Sequence, residues 1–192
     1  ADERIGHHFI YPGCGYGGSC FPKDVAALRH IAEQAGFEPL VLNAVTERNT
    51  RQKQYLFNTL KTEFNGQLAG RKIALWGLSF KPGTDDIREA SALELIKALL
   101  DAGSEVHAHD PVAMPNIRQA FNSTNLHLYE DHYEALMDAD ALVLVTEWKL
   151  YRQPDFERML NLLKNPFILD GRNQYNPERL GNMGFTYRGI GR

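Results

Sequence analysis

An α/β fold with a mostly parallel sheet, preceded by a helical segment, is predicted from three observations. Beyond Gly70, short β-rich runs alternate with helical ones, the order that builds parallel sheets. The apolar runs among them read as strands covered on both faces, as such sheets require. Before Asn65-Gly66 the apolar residues recur instead at helical spacing. The boundary falls at residues 66–71, so residues 1–66 form a loop and helical region and residues 67–192 the sheet domain.

The elements follow in order. From Phe21 to about Ala35, Val25, Leu28, Ile31 and Ala32 mark an amphipathic helix, with Pro22 in its first turn and Gly36 as a stop. Residues 40–64 contain no Gly or Pro and read as one long helix, exposed or at a subunit contact, carrying Leu42, Val45, Leu56, Phe57 and Leu60. Strands are expected at 72–77, 105–110, 141–145 and 167–170, with a helix from Ser91 to Ala102. Shorter helices at 115–121, 130–137 and 154–163 complete the crossovers.

With 192 residues and 43% hydrophobic content, the chain has ample material for a core. Its net charge of −3 comes from interspersed charges, without the basic stripe that nucleic acid requires. No run approaches the roughly 20 apolar residues of a membrane span, and the first residues lack the order of a signal peptide. Neither nucleic acid nor a membrane is expected as a partner, and a cytoplasmic location is. Cys14 and Cys20 are too few for a disulfide framework, and with His7 and His8 they match no usual zinc spacing, so no metal is expected.

The run Tyr11-Pro12-Gly13-Cys14-Gly15-Tyr16-Gly17-Gly18-Ser19-Cys20-Phe21-Pro22-Lys23-Asp24 holds most of the chemistry. Gly13, Gly15 and Gly18 have the dinucleotide-fingerprint spacing, but here a helix leads into a second helix rather than a βαβ unit. These glycines read as a loop that lets a ligand approach the backbone. Cys20 precedes a helix, whose unpaired N–H groups and dipole favour a thiolate, and Lys23 adds a cation. Asp24, four residues on, returns to the same helix face and could orient a water. From residue types alone, a buried cysteine before a capped helix is the commoner outcome, and Cys14 keeps that reading.

Gly-Tyr-Gly-Gly-Ser-Cys-Phe-Pro-Lys-Asp, ending at Asp24, resembles the catalytic-cysteine motif of the UDP-glucose/GDP-mannose dehydrogenase family. The resemblance implies that Cys20 is a nucleophile, that Asp24 assists water activation, and that Lys23 contacts NAD. Phe9, Ile10, Tyr11, Pro12, Gly13 and Gly17 would line a nucleotide sugar. Arg4 matches an arginine that reaches the neighbouring subunit's substrate, so a homodimer is implied. The fold it implies for residues 67–192 is a Rossmann-like UDP-sugar-binding domain.

A second polar loop follows the first strand: Gly77-Leu78-Ser79-Phe80-Lys81-Pro82-Gly83-Thr84-Asp85-Asp86-Ile87-Arg88-Glu89-Ala90. It lacks a glycine fingerprint, yet such loops are where open α/β sheets bind ligands, and Lys81 and Arg88 offer cations to phosphates. The loop resembles the family's second signature, which assigns Phe80 and Lys81 to substrate and Arg88 to the cofactor. Asp170-Gly171-Arg172 resembles a late family motif and gives Arg172 to substrate. Asp110 is read as structural, because Asp-Pro commonly opens a turn. Asp85, Asp86 and Glu89 are expected to hold the loop's shape or cap the following helix.

The reaction so implied oxidises UDP-glucose to UDP-glucuronate in two steps through a thiohemiacetal and a thioester on Cys20. The family's NAD-binding domain is expected to be missing from these residues, which should then be inactive alone. The rival readings are a GDP-mannose or other nucleotide-sugar dehydrogenase, and a nucleotide-sugar-binding module without chemistry.

Overall fold

A computed structural model of the chain describes residues 2, 6 and 10–192. A described loop over residues 10–20 precedes α1 (Phe21–Gln34), which leads to α2 (Leu40–Lys53) and α3 (Tyr55–Glu63). The sheet elements then alternate: β1 (Lys72–Trp76), α4 (Ser91–Asp101), β2 (Glu105–His109), α5 (Met114–Ala120), β3 (Leu126–Leu128), β4 (Ala141–Leu144), α6 (Phe156–Leu162), β5 (Phe167–Asp170), α7 (Pro177–Asn182) and β6 (Thr186–Gly189). All strand pairs are parallel, in the order β3-β2-β1-β4-β5-β6, a Rossmann-like sheet. The order reverses between β1 and β4, so the loops after these strands flank a switch-point crevice.

Alternation along the strands sends side chains to two cores. Ile73, Leu75, Val106, Val143 and Leu169 meet Leu95 and Leu99 of α4 and Leu56, Leu60 and Phe64 from α3 and its end. Trp76, Leu142, Leu144 and Ile168 face Leu136, Tyr151, Met159 and Leu180 on the other side. The expected strands at 72–77, 105–110, 141–145 and 167–170 are present within a residue at each end.

The expected single helix over 40–64 is instead two. Gln54 stays in the helical region at φ −80° and ψ −12°, but the hydrogen-bond ladder breaks there and resumes with Asn58 N donating to Gln54 O. No Gly or Pro marks the break. Its effect is to separate α2, which braces a loop, from α3, which buries Leu56 and Leu60. The helix expected at 130–137 shrinks to one 3-10 turn at Glu134–Leu136. Two strands, β3 and β6, and helix α7 were not anticipated. Helix α1 forms as expected, but none of its residues is buried, and Leu28 and Ile31 are exposed. No helix among the described residues is long and apolar enough to cross a membrane.

The second core carries a titratable group. His132 is packed against Trp76 and Tyr133, and burial, aided by the nearby His109, pulls its pKa from 6.5 down to about 4. A depressed histidine binds its proton more readily in the unfolded chain, so its contribution is complete above pH 6.5 and is lost as pH falls towards 4. We predict a stability loss of up to roughly 3 kcal/mol across that window from this residue. Urea unfolding at a series of pH values should show a shallower decline for His132→Phe than for the parent chain.

Candidate functional site

The glycine loop lies against the carboxyl ends of the strands, and the following hydrogen bonds fasten it. Asn49 of α2 clamps Tyr16 at both backbone polar groups: Tyr16 N donates to Asn49 Oδ1 at 2.8 Å, and Asn49 Nδ2 donates to Tyr16 O at 3.1 Å. Gln52 Nε2 donates to Gly13 O at 2.7 Å. Cys14 is fully buried, as expected; its thiol donates to Val145 O at 3.6 Å, and Ser91 Oγ donates to its carbonyl. Gly18 N donates to Arg88 O at 2.8 Å, which ties this loop to the loop after β1.

That last contact requires bare glycine. A Cβ on Gly17 would stand 2.1 Å from Glu89 O, and Gly18, at φ +91°, would place one 2.7 Å from the Phe80 ring. The two polar segments singled out from sequence are therefore one continuous surface. Glu89 itself adopts φ 55° and receives Lys53 Nζ at 2.8 Å, a nearly buried lysine on α2. The alternative expectation that an acidic residue of this loop caps α4 is not met: Ala90 is the N-cap and no side chain bonds there. Asp86 instead accepts three bonds from Arg88, at its backbone N, Nε and Nη2. This hydrogen bonding holds the Asp86 carboxyl below its ordinary pKa, and raises Arg88, to which Cys20 adds a smaller charge contribution.

Of the cavities that open on this surface among the described residues, three hold the predicted site residues. The first, of about 810 Å³, is lined by Tyr11, Gly13 and Gly17 of the loop, Phe80 after β1 and Arg172 after β5, all five expected from sequence. Its far wall was not expected: Val41, Val45, Arg48, Asn49 and Gln52 of α2. Their i, i+4, i+7, i+8, i+11 spacing places them on one helical face, a signal the sequence did contain. The second, of about 690 Å³, shares Tyr11 and Arg172 and adds Pro12, Glu147, Arg152 and Asn173. The third, of about 570 Å³, brings Lys23 and Arg88 together with Gly18, Ser19 and Pro22.

Arg172 is mostly buried where the first two cavities meet. Its Nε donates to Val145 O at 2.6 Å and lies 3.0 Å from Glu147 Oε2. Its Nη1 lies 3.0 Å from where a Gly13 Cβ would stand, so the head of this side chain runs beneath the glycine loop. Cys20 is exposed at the N-cap of α1 and lines none of these three cavities; before it, Gly17 lines the first, and Gly18 and Ser19 line the third. Tyr16 and Phe21 on either side meet edge to face at 4.7 Å. Asp24 follows in the first turn, its N–H bonded to Cys20 O and its carboxylate 3.3 Å from Lys23 Nζ.

Some expected residues stand apart. Ile10 is exposed and Lys81 lies over the Phe80 ring at 5.4 Å; neither lines the first cavity. Arg4 and Phe9 lie outside the described residues. Asp110, read as structural, is fully buried and collects the N–H groups of Leu78, Ser79, Val112, Ala113 and the Trp148 indole.

Comparison with known proteins accounts for this arrangement. Residues 74–177 match the UDP-glucose/GDP-mannose dehydrogenase family, UDP binding domain, and residues 1–51 match the central domain of the same family. The chain is 55% identical, over its whole length, to a UDP-glucose 6-dehydrogenase of Pseudomonas aeruginosa, and 40% identical to UDP-glucose 6-dehydrogenase TuaD of Bacillus subtilis. It spans 43% and 41% of the lengths of these relatives. Among solved structures it resembles a UDP-glucose dehydrogenase from Pyrobaculum islandicum, at 33% identity and a TM-score of 0.82, covering 98% of this chain and 41% of that one. With both signature loops joined at one site and the family matched over most of its length, the chain belongs to the UDP-glucose/GDP-mannose dehydrogenase family.

Proposed function

We propose that this chain supplies the nucleotide-sugar site and the nucleophile of an NAD-dependent UDP-glucose 6-dehydrogenase. The observation that carries this reading is the junction of the two signature loops, where Gly18 bonds to Arg88 and a cavity of about 810 Å³ is lined by Gly17, three residues before Cys20, and by Phe80. That volume suits a nucleotide sugar, and Arg172, Phe80 and the bare Gly13 and Gly17 backbone offer a cation, a ring and close approach. UDP-glucose is preferred over GDP-mannose or a non-catalytic binding role because the 55% relative carries that activity in its name.

In this reading the sugar's C6 points at Cys20. The primary alcohol is first oxidised to an aldehyde. The Cys20 thiolate then adds to the aldehyde carbon, and its S–C bond gives a thiohemiacetal. Oxidation of that adduct leaves a thioester, and water attacks the thioester carbonyl, expels the Cys20 thiolate and yields the uronate. Sulfur suits both halves, since a thiolate adds readily to a carbonyl and leaves readily from a thioester. Cys20 stands exposed at the N-cap of α1, and Asp24, in the helix's first turn, is the group placed to orient the water.

NAD, when bound, would accept the two electrons removed in each oxidation. The residues present fit only part of it. Lys23 and Arg88 converge on the third cavity and can meet a charged edge of the cofactor. The loop after β1 does not fit a pyrophosphate, because Gly77 is packed against Thr146, whose Cβ lies 2.4 Å from where a Gly77 Cβ would stand, and the Ala90 N-cap is buried. These 192 residues are therefore proposed not to turn over by themselves. The exposed Leu28, Ile31, Leu40 and Val41 on α1 and α2 support a homodimer across these helices. A free nucleophilic thiol works in a reducing compartment, and we place the protein in the cytoplasm.

Calorimetric titration tests the substrate assignment. UDP-glucose is expected to bind the chain with GDP-mannose silent; binding of GDP-mannose without any uridine nucleotide would overturn it.

A further inference from the structure

We propose that Glu105, His107 and His127 form a binding site for a divalent transition metal of the zinc type at the β2–β3 edge of the sheet. No metal was expected from sequence, because the ligands lie on two strands and only their register brings them together. His107 stands opposite His127 in the parallel β2–β3 pairing, and Glu105, two residues before His107, shares its face of the sheet. One ligand atom from each of the three lies within 4.8 Å of the others, and Glu105 Oε2 is 3.7 Å from His107 Nε2.

The independent sign of a missing ligand is His107 itself. It is only 6% exposed, and neither Nδ1 nor Nε2 has a hydrogen-bond partner. Buried polar groups are rarely left so, and an absent ion is one of the few physical explanations. The ring is held in place: it stacks on Tyr129 with centroids 5.2 Å apart and lies 4.9 Å from the His127 ring. Two imidazole nitrogens and one carboxylate oxygen are ordinary zinc donors, and a water would take the fourth tetrahedral position. Zinc bonds of about 2.0–2.2 Å require the donors to draw together by about an ångström. Glu105, with its side chain 47% exposed, has the freedom to do so. Lys72, the cation whose charge acts on His107, gives its Nζ to Met137 O at 3.2 Å.

The position fixes the role. Glu105 begins β2, so the site lies towards the amino ends of the strands, opposite the loops that build the cavities. β3 is a three-residue edge strand, and a metal bridging it to β2 would fasten an edge that little else secures. The role is structural, and the probe is zinc alone.

The test is titration of zinc chloride into the 192-residue chain after removal of metal, in a background carrying His7→Ala and His8→Ala so that the amino-terminal histidines do not contribute. One equivalent of zinc is expected to bind and raise the melting temperature. His127→Ala should weaken binding at least about tenfold and abolish the rise, with Glu105→Gln between the two. Cobalt(II) in place of zinc should give the visible absorption of a tetrahedral nitrogen and oxygen site, lost in His127→Ala. Absence of stoichiometric binding, or binding unchanged by His127→Ala, would overturn the proposal.

Discussion

Replacing Asp110 by alanine is expected to destabilise the chain by about 4 kcal/mol and lower its melting temperature by about 10 °C. The carboxylate is fully buried at the end of β2 and accepts from four backbone N–H groups and the Trp148 indole. Hydrogen bonds to a charged group contribute about 1.5–3 kcal/mol each, and donors left buried without a partner cost a further penalty. The loss is held below the simple sum because the loop after β1 can relax and admit water. Asp110→Asn should fall between, since its carbonyl oxygen serves some donors while its amide hydrogens oppose others. Because Leu78 and Ser79 start the loop that carries Phe80 and Arg88, the damage should reach the site as well as the fold. Urea unfolding followed by far-ultraviolet circular dichroism checks the magnitude.

Gly17→Ala is the largest expected effect on ligand binding. A Cβ there would sit 2.1 Å from Glu89 O and 2.7 Å from its carbonyl carbon, both backbone atoms that cannot swing aside. The loop must lift away, and the Gly18 N to Arg88 O bond goes with it. Overpacking of this kind costs about 1–3 kcal/mol, and any part of it borne by the bound conformation appears as lost affinity. A fall of at least about tenfold in affinity for UDP-glucose is expected, which corresponds to about 1.4 kcal/mol. Calorimetry on the variant reads it directly, and an unchanged affinity would show that the junction of the two loops does not shape the sugar site.

How much of this was legible in the sequence depended on whether the signal was local. β1, β4 and β5 are central strands with near-continuous apolar runs, β2 is a central strand that alternates Val106 and Ala108 with polar residues, and all four appear where expected. β3, only Leu-His-Leu at the edge, and β6, Thr-Tyr-Arg-Gly at the other edge, bury too little to leave such a run. The break at Gln54 left no mark because its backbone remains helical in φ and ψ. Cys14 and Asp110 were read as structural and are buried, each satisfied by backbone groups from distant segments. The floor of the cavity came from motifs, but its α2 wall needed the loop to be folded against that helix. Asn49 shows why: its two bonds to Tyr16 cross 33 residues of sequence, and nothing local distinguishes it from a surface asparagine. The same is true of Glu105, His107 and His127, which become neighbours only through strand register.

The proposed function requires the sugar of UDP-glucose to lie against Cys20. Alkylation of the chain by iodoacetamide, read residue by residue by mass spectrometry with and without saturating UDP-glucose, measures this most directly. Cys20, exposed at the head of α1, should be modified and buried Cys14 spared. UDP-glucose should slow modification of Cys20 several-fold while GDP-mannose leaves it unchanged. Modification of Cys20 at the same rate with UDP-glucose bound would place the sugar elsewhere and contradict the account.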